Sequence, residues 1–147
     1  MSSGDDSAPG EDIGRSAVIT VAIRSAADIV DARQEGRALA SRFGFNGSDL
    51  TVIATAISEL ARNILEYAKT GEIRLSPAQK AGRNGLMIVA RDEGPGIPDV
   101  PRAMQDGYTT GRGLGLGLPG VRRLMDDFEI LSQVGKGTTV SVKKWVL

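Results

Sequence analysis

The sequence contains neither cysteine nor histidine. Without cysteine the chain has no disulfide, no thiol nucleophile and no thiolate metal site. Without histidine it has no imidazole base, no histidine-ligated metal and no phosphohistidine of its own. Any proton transfer by this protein must therefore use Asp, Glu, Lys or Tyr side chains.

The sequence also lacks an excess of charge of either sign and a long apolar run. Lys plus Arg and Asp plus Glu both number 18, so the formal net charge is zero, which argues against a nucleic-acid partner. No apolar stretch approaches the roughly 18 residues that a membrane-spanning helix needs, and the N-terminus lacks the apolar core of a signal peptide. We therefore expect a cytoplasmic protein with no nucleic-acid and no membrane partner.

Glycine, in contrast, is abundant, with 19 residues in a chain of 147. This is well above the usual share of about 7%. The glycines are concentrated between Gly94 and Gly137, in a part of the chain with little apolar periodicity. This concentration suggests backbone wrapped around a ligand, although a series of ordinary turns would also explain it.

Apolar periodicity predicts one domain over residues 16–147, preceded by a disordered tail at 1–15 that is rich in Ser, Gly and Asp. Alternating patterns predict strands at residues 17–24, 72–76, 86–91, 128–134 and 138–145. Between the second and third of these, Arg83-Asn84-Gly85 predicts a hairpin turn. Helical spacing predicts helices at residues 28–43, 48–68 and 119–126. The second has an apolar stripe of Leu50, Ile53, Ile57, Leu60 and Ile64. We expect an α+β fold: a two-layer α/β sandwich in which helices cover one face of a mixed sheet.

The first of three chemically informative motifs is Glu59-Leu60-Ala61-Arg62-Asn63, within the second predicted helix. Glu59 and Asn63 are four residues apart, so both project from the same side of that helix. An amide oxygen can ligate Mg²⁺, and a carboxylate one turn away can accept a proton from a nucleophile. The alternative is a polar flank of an amphipathic helix. We expect Arg62 and Glu66 to form an ordinary surface pair.

The second motif is Asp92-Glu93-Gly94-Pro95-Gly96-Ile97-Pro98, directly after a predicted strand. An aspartate at a strand end, followed by glycines, suits a pocket in which a carboxylate accepts a hydrogen bond from the amino group of a base. Gly94 and Gly96 would let the backbone approach the ring closely. The alternative is a plain turn, because Asp, Gly and Pro are common turn residues.

The third motif is Gly111-Arg112-Gly113-Leu114-Gly115-Leu116-Gly117-Leu118, before the last predicted helix. Glycine at alternate positions exposes backbone N–H groups, and the N-terminus of the following helix favours anions. The motif therefore suits phosphate groups. It is not a P-loop, because no Lys-Ser or Lys-Thr pair follows the glycines. It is not a dinucleotide fingerprint either, because the loop does not connect a strand directly to a helix within a βαβ unit.

The order of these motifs, followed by Gly135-Lys136-Gly137-Thr138-Thr139, resembles the GHKL superfamily of ATP-binding proteins, which shares the α/β sandwich expected above. The resemblance implies that the protein binds ATP and Mg²⁺, that Asn63 holds the Mg²⁺ and that Asp92 contacts the adenine amino group. It also implies that residues between about Asp99 and Arg112 form a mobile lid over ATP. The remaining positions that it assigns to nucleotide binding are Gly94, Gly96, Gly113, Leu114, Gly115, Leu116, Gly117 and Thr138.

Within the superfamily, residues 19–145 are most similar to the RsbT subgroup of stand-alone switch kinases, with Ala56–Ile64 and Leu116–Val121 carrying most of the resemblance. It implies MgATP-dependent phosphorylation of a serine on a STAS-domain antagonist and on a homologous scaffold within a stressosome, followed by activation of a PP2C-type phosphatase. In that reaction Glu59 would be the catalytic residue, which accepts or orients the hydroxyl proton. Two alternatives are an anti-sigma factor kinase that holds a sigma factor, and a non-catalytic ATP-gated binding module.

Overall fold

The computed structural model describes residues 18–105 and 117–147. The predicted tail at 1–15 lies outside these ranges. The strands are β1 (Ile19–Ile23), β2 (Gly71–Lys80), β3 (Arg83–Asp92), β4 (Asp127–Gln133) and β5 (Gly137–Trp145). The helices are α1 (Ala26–Arg42), α2 (Ser48–Asn63), α3 (Val100–Ala103) and α4 (Gly117–Leu124), and one π-helical turn, Ile64–Ala68, continues α2.

The five strands form one sheet in the order β1-β2-β3-β5-β4. The predicted two-layer α+β fold is confirmed, but the sheet is not mixed, because each of its neighbouring strand pairs is antiparallel. The reason is the position of the last hairpin. β4 runs in the same direction as β3, but β5 turns back and inserts between them, so the two parallel strands are not neighbours.

The hairpin between β2 and β3 is longer than the sequence predicts, and its turn is displaced. Ala81 and Gly82 make the turn with positive φ angles of 51° and 80°. The predicted turn at residues 83–85 is wrong, because all three residues belong to β3. Gly85 is required there by packing and not by a turn: a Cβ atom would lie 2.5 Å from Cε3 of Trp145 on the neighbouring strand.

Helices α1 and α2 cover one face of the sheet and bury the predicted apolar stripe of α2. Ile53, Ile57 and Leu60 are fully buried, and Ile64 continues the stripe into the π-helical turn. Burial of each such side chain is worth about 1.5–3 kcal/mol. The two helices approach closely at Gly36, where a Cβ atom would overlap the side chain of Ile57. Within residues 18–105 and 117–147, no helix has both the length and the apolar character needed to cross a bilayer.

The start of α1 is fixed by Asp28. Its carboxylate accepts hydrogen bonds from the backbone N–H groups of Arg24 (2.8 Å) and Ser25 (3.0 Å). The Arg24 hydrogen bond is the main cause that lowers the pKa of Asp28 from its ordinary value of 3.8, since a carboxylate that accepts N–H bonds is stabilised in its charged form.

The second predicted helix was expected to run to Ala68 as one α-helix. The regular α-helix ends at Asn63, and the next five residues form the π-helical turn. Lys69 then stops the helix with a positive φ of 73°. Single π-helical turns in α-helices are frequent at functional sites, and this one directly follows the Asn63 of the first motif.

Candidate functional site

The structure brings together the ends of elements that are far apart in the sequence. The backbone N–H of Gly117, at the start of α4, donates a hydrogen bond to Glu59 on α2. In the sheet register Asp92, at the end of β3, faces Thr138 at the start of β5. Gly94 lies against Ala68, at the end of the π-helical turn. Residues from the first two motifs, the start of α4 and the glycine-threonine segment of β5 therefore border one region.

Glu59 is a buried carboxylate, and each of its oxygens has its own donor. Its side chain is 8% exposed. Oε1 accepts a hydrogen bond from the guanidinium of Arg62, and Oε2 accepts one from the backbone N–H of Gly117 at 3.2 Å. A buried charge needs such partners, because desolvation of an unpaired carboxylate costs several kcal/mol. Each oxygen keeps a lone pair for a further hydrogen bond, so the group can still accept a proton from a hydroxyl.

Arg62 does not make the predicted surface pair with Glu66. Its guanidinium forms the ion pair with Glu59, three residues earlier on the same helix. The predicted pair assumed regular α-helical spacing as far as Glu66, whereas the π-helical turn begins at Ile64 and shifts the following side chains around the axis. In the part of the chain that the structure describes, the buried Oε2 of Glu66 has no hydrogen-bond partner.

Asn63 is the last residue of α2 and is half-buried, one helical turn beyond Glu59. Among the described residues no group of three or more Asp or Glu side chains could hold a metal ion. A single amide oxygen is nevertheless a suitable ligand for Mg²⁺, which usually takes one or two protein ligands and completes its shell with water and substrate phosphates. The donor chemistry at Asn63 therefore fits Mg²⁺ bound together with a nucleotide.

Asp92 is half-buried at the end of β3, where it organises the second motif. Its Oδ1 accepts a hydrogen bond of 2.9 Å from the backbone N–H of Gly94. A Cβ atom on Gly94 would lie 2.6 Å from the Cβ of Ala68, so only glycine fits beneath the π-helical turn. The carboxylate is thus held in one orientation by its own loop.

The loop after Asp92 is attached to the hairpin of β4 and β5 by two hydrogen bonds, and a third within the hairpin supports one of them. The backbone N–H of Ile97 donates to the hydroxyl of Ser132 at 2.7 Å. That hydroxyl also shares a 2.8 Å hydrogen bond with the hydroxyl of Thr138. The backbone N–H of Gly135 donates to the carbonyl of Pro95 at 2.8 Å. Thr138, which the sequence assigns to the adenine pocket, therefore supports the loop through Ser132.

Gly96 and Gly137 permit this attachment, because at each of them the backbone lies too close to another backbone segment for a side chain to fit. At Gly96, with φ of 80°, a Cβ atom would overlap the carbonyl oxygen of Gln133. At Gly137, with φ of 122°, it would overlap the carbonyl oxygen of Asp92. The sequence interpretation placed Gly94 and Gly96 against a ligand ring. In the structure both glycines are required by contacts within the protein.

Only the end of the third motif lies within the described residues. Gly117 has a positive φ of 68° and begins α4, as a turn into a helix requires. Its predicted neighbours Gly113, Leu114, Gly115 and Leu116 lie outside the described residues, as does the second half of the predicted lid, residues 106–112.

Sequence reasoning missed the role of Ser132 and predicted the wrong partner for Arg62. Ser132 gave no signal by itself, since it is one polar residue in an alternating strand, and only the register that places it opposite Thr138 reveals its role. Arg62 was noticed but assigned to the wrong partner.

An open cavity of about 540 Å³ is lined by Val100, Pro101, Met104, Gln105 and Arg122. None of the predicted site residues lines it, so the site is identified by its side chains and not by a cavity.

A sequence profile of the histidine kinase-like ATPase domain family matches residues 24–144. The chain is 52% identical to the serine/threonine-protein kinase RsbT of Bacillus subtilis over 119 residues, which cover 81% of this chain and 90% of that protein. It is 35% identical to an anti-sigma F factor of Geobacillus kaustophilus over 105 residues, 67% of this chain and 70% of that protein.

A chain in the crystal structure of the SiaB–SiaC complex from Pseudomonas aeruginosa has the same fold. The TM-score is 0.56 at 14% identity, with 93% of this chain and 95% of that chain covered. The ATP-binding fold, the order of the motifs and the extent of the sequence matches agree. The chain belongs to the histidine kinase-like ATPase domain family and, within it, to the RsbT-type serine/threonine-protein kinases.

Proposed function

We propose that this kinase transfers the γ-phosphoryl group of MgATP to a serine hydroxyl of a small STAS-domain protein, with Glu59 as the proton acceptor. The observation that carries the proposal is the buried Glu59 carboxylate, which lies between Arg62 and the N-terminal backbone amide of α4. The carboxylate is one helical turn from Asn63, the residue suited to Mg²⁺. A proton acceptor next to a metal ligand suits phosphoryl transfer to a hydroxyl.

In the proposed reaction a new bond forms between the serine oxygen and the γ-phosphorus, and the bond from that phosphorus to the bridging oxygen breaks. ADP leaves with the bond electrons, and the serine proton passes to the Glu59 carboxylate. Removal of a general base of this kind slows a reaction by about 10²–10⁴-fold. Mg²⁺ would neutralise charge on the phosphates, and the start of α4 at Gly117 would favour anions at the same place.

Adenine recognition is the proposed role of Asp92 and of the loop that follows it. The carboxylate is already oriented by the amide of Gly94, and the loop is attached to Ser132, whose hydroxyl also bonds that of Thr138. A fixed carboxylate oxygen accepts a hydrogen bond from the adenine amino group. It would repel the carbonyl oxygen that guanine carries at the corresponding position, so we expect ATP to be preferred over GTP.

The acceptor protein is proposed from the resemblance to the RsbT subgroup. It implies a STAS-domain antagonist and a related scaffold as substrates, and a PP2C-type phosphatase as the partner that the kinase then activates. Each of these partners is a protein, in agreement with a chain of zero formal net charge.

The test is transfer of label from γ-labelled ATP to a purified STAS antagonist, with and without Mg²⁺. We expect label on one serine, none on the variant in which that serine is alanine, and loss of transfer in Glu59→Gln and Asn63→Ala. The exposed Arg37 on α1 provides a control variant, Arg37→Ala, that should keep MgATP binding. Tight MgATP and STAS binding without any labelled serine would contradict the kinase proposal and favour an ATP-gated binding module.

A second candidate is an anti-sigma factor kinase, favoured by the 35% identity to an anti-sigma F factor. It uses the same nucleotide site and differs only in the protein that it holds. Stable association of the purified chain with a sigma factor, in preference to a STAS protein, would favour this function.

A further inference from the structure

We propose that Arg62 is a positioning residue, which holds the Glu59 carboxylate in the orientation needed to accept the substrate proton. The inference rests on the proposed role of Glu59 and deepens it. It starts from the asymmetry of the ion pair: the Arg62 side chain is 49% exposed, whereas the Glu59 side chain is 8% exposed. The guanidinium therefore reaches from the solvent-facing side of α2 to a carboxylate that water hardly touches.

The two donors around Glu59 come from different parts of the chain and constrain it jointly. Arg62 is on the same helix and binds Oε1, while Gly117 belongs to α4 and binds Oε2. A carboxylate with one donor can rotate about its terminal torsion, which is broad for Glu. With a donor on each oxygen, the plane of the carboxylate is fixed relative to both α2 and α4.

Loss of Arg62 would leave Glu59 with a single backbone donor at 3.2 Å. The buried charge would then turn towards water or towards another donor, and away from the position that receives the proton. A misplacement of about 1 Å at a reacting group can cost about 10²-fold in rate. Nucleotide binding would not change, because Arg62 contacts neither Asp92 nor the loop that follows it in the described structure.

The chain offers a matched control for this variant. Arg74 on β2 has a similarly exposed side chain, 55%, and also forms an ion pair with a nearby carboxylate, Glu72, at 3.9 Å. It lies on the opposite, open face of the sheet from α2. Arg74→Ala therefore removes a partly exposed cation and its ion pair without changing the surroundings of Glu59.

The kinetic experiment measures single-turnover transfer to the STAS antagonist at saturating MgATP, together with the MgATP Kd. We expect Arg62→Ala to be slower by tenfold or more with a Kd within twofold of wild type, Arg62→Lys to recover part of the rate, and Arg74→Ala to match wild type. Added guanidinium ion should restore part of the rate to Arg62→Ala and none to Glu59→Gln. Equal rates for Arg62→Ala and Arg74→Ala, or a loss in Arg62→Ala confined to Kd, would overturn the inference.

A second measurement keeps this result separate from the kinase proposal. Hydrogen exchange and the chemical shift of the Gly117 amide report directly on its hydrogen bond to Glu59. We expect both to change in Arg62→Ala and in Glu59→Gln, and to stay unchanged in Arg74→Ala. If wild type transfers no phosphate, the proposed function fails, and the Gly117 amide still decides whether Arg62 positions Glu59. An unchanged Gly117 amide in Arg62→Ala would overturn the inference.

Discussion

The site has two sides that are built in different ways. On the side of Asp92, glycines allow backbone to meet backbone, and two hydrogen bonds attach residues 95–97 to the hairpin of β4 and β5. On the side of Glu59, one charged side chain binds both Arg62 and the amide of Gly117 and so joins α2 to α4 by polar contacts, beside the apolar packing of Val121. On the first side, close contacts between backbone atoms fix the loop; on the second, Glu59 is held by hydrogen-bonding groups that can exchange partners.

This difference suits two tasks. Recognition of a base needs a fixed donor and acceptor pattern, which a packed loop provides at no cost during binding. Proton transfer needs a group that is oriented but still able to accept a proton and release it. Substitutions on the Asp92 side should therefore affect stability and ATP affinity, whereas substitutions on the Glu59 side should affect the rate of transfer.

The largest effect on stability is expected for Gly137→Ala, because a methyl group there would overlap the carbonyl oxygen of Asp92 at a φ of 122°. We expect a loss of about 3 kcal/mol in the free energy of unfolding, measured by urea denaturation. The control is Gly135→Ala in the same turn, where φ is 81° and no atom lies within 4 Å of the added methyl group. It should cost about 1 kcal/mol. Equal losses would show that the contact with Asp92 does not constrain the loop.

A smaller effect is expected for Ser132→Ala. This change removes the acceptor for the backbone N–H of Ile97 and the partner of the Thr138 hydroxyl. We expect a loss of about 1.5 kcal/mol in the free energy of unfolding and weaker ATP binding, because the loop after Asp92 is released. Ser141→Ala, on the open face of β5, is the control and should change neither quantity. Unchanged ATP affinity in Ser132→Ala would mean that the attachment of the loop is not needed for recognition.

The sequence predicted the fold class well because the apolar stripes are long and regular. The α2 stripe of Ile53, Ile57 and Leu60 is confirmed as core. The antiparallel sheet was not predicted, since neighbouring strand directions depend on where β5 inserts, and no local pattern records that choice. The turn of the first hairpin was misplaced because Arg83-Asn84-Gly85 looks like a turn, whereas Gly85 is in fact required by Trp145.

In the site, too, local patterns in the sequence identified some residues correctly and misjudged others. Glu59, Asn63 and Asp92 were found from motifs and spacing, since their residue types suit their chemistry. The partner of Arg62 was predicted wrongly because regular α-helical spacing fails at the π-helical turn. Ser132 was missed because its role depends on a register across two strands, which the sequence does not display.

The most direct test of the account compares Glu59→Gln and Asp92→Asn for two quantities, the MgATP Kd and the rate of transfer at saturating MgATP. Both substitutions preserve shape and remove one charge. We predict that Asp92→Asn weakens binding about 10- to 100-fold, the loss of one charged hydrogen bond. Glu59→Gln should bind MgATP as wild type does and transfer at least about 100-fold more slowly. The contrary result is a Glu59→Gln variant that weakens MgATP binding as much as Asp92→Asn and keeps the wild-type rate at saturation. It would contradict the division of the site into a recognition side and a proton-transfer side.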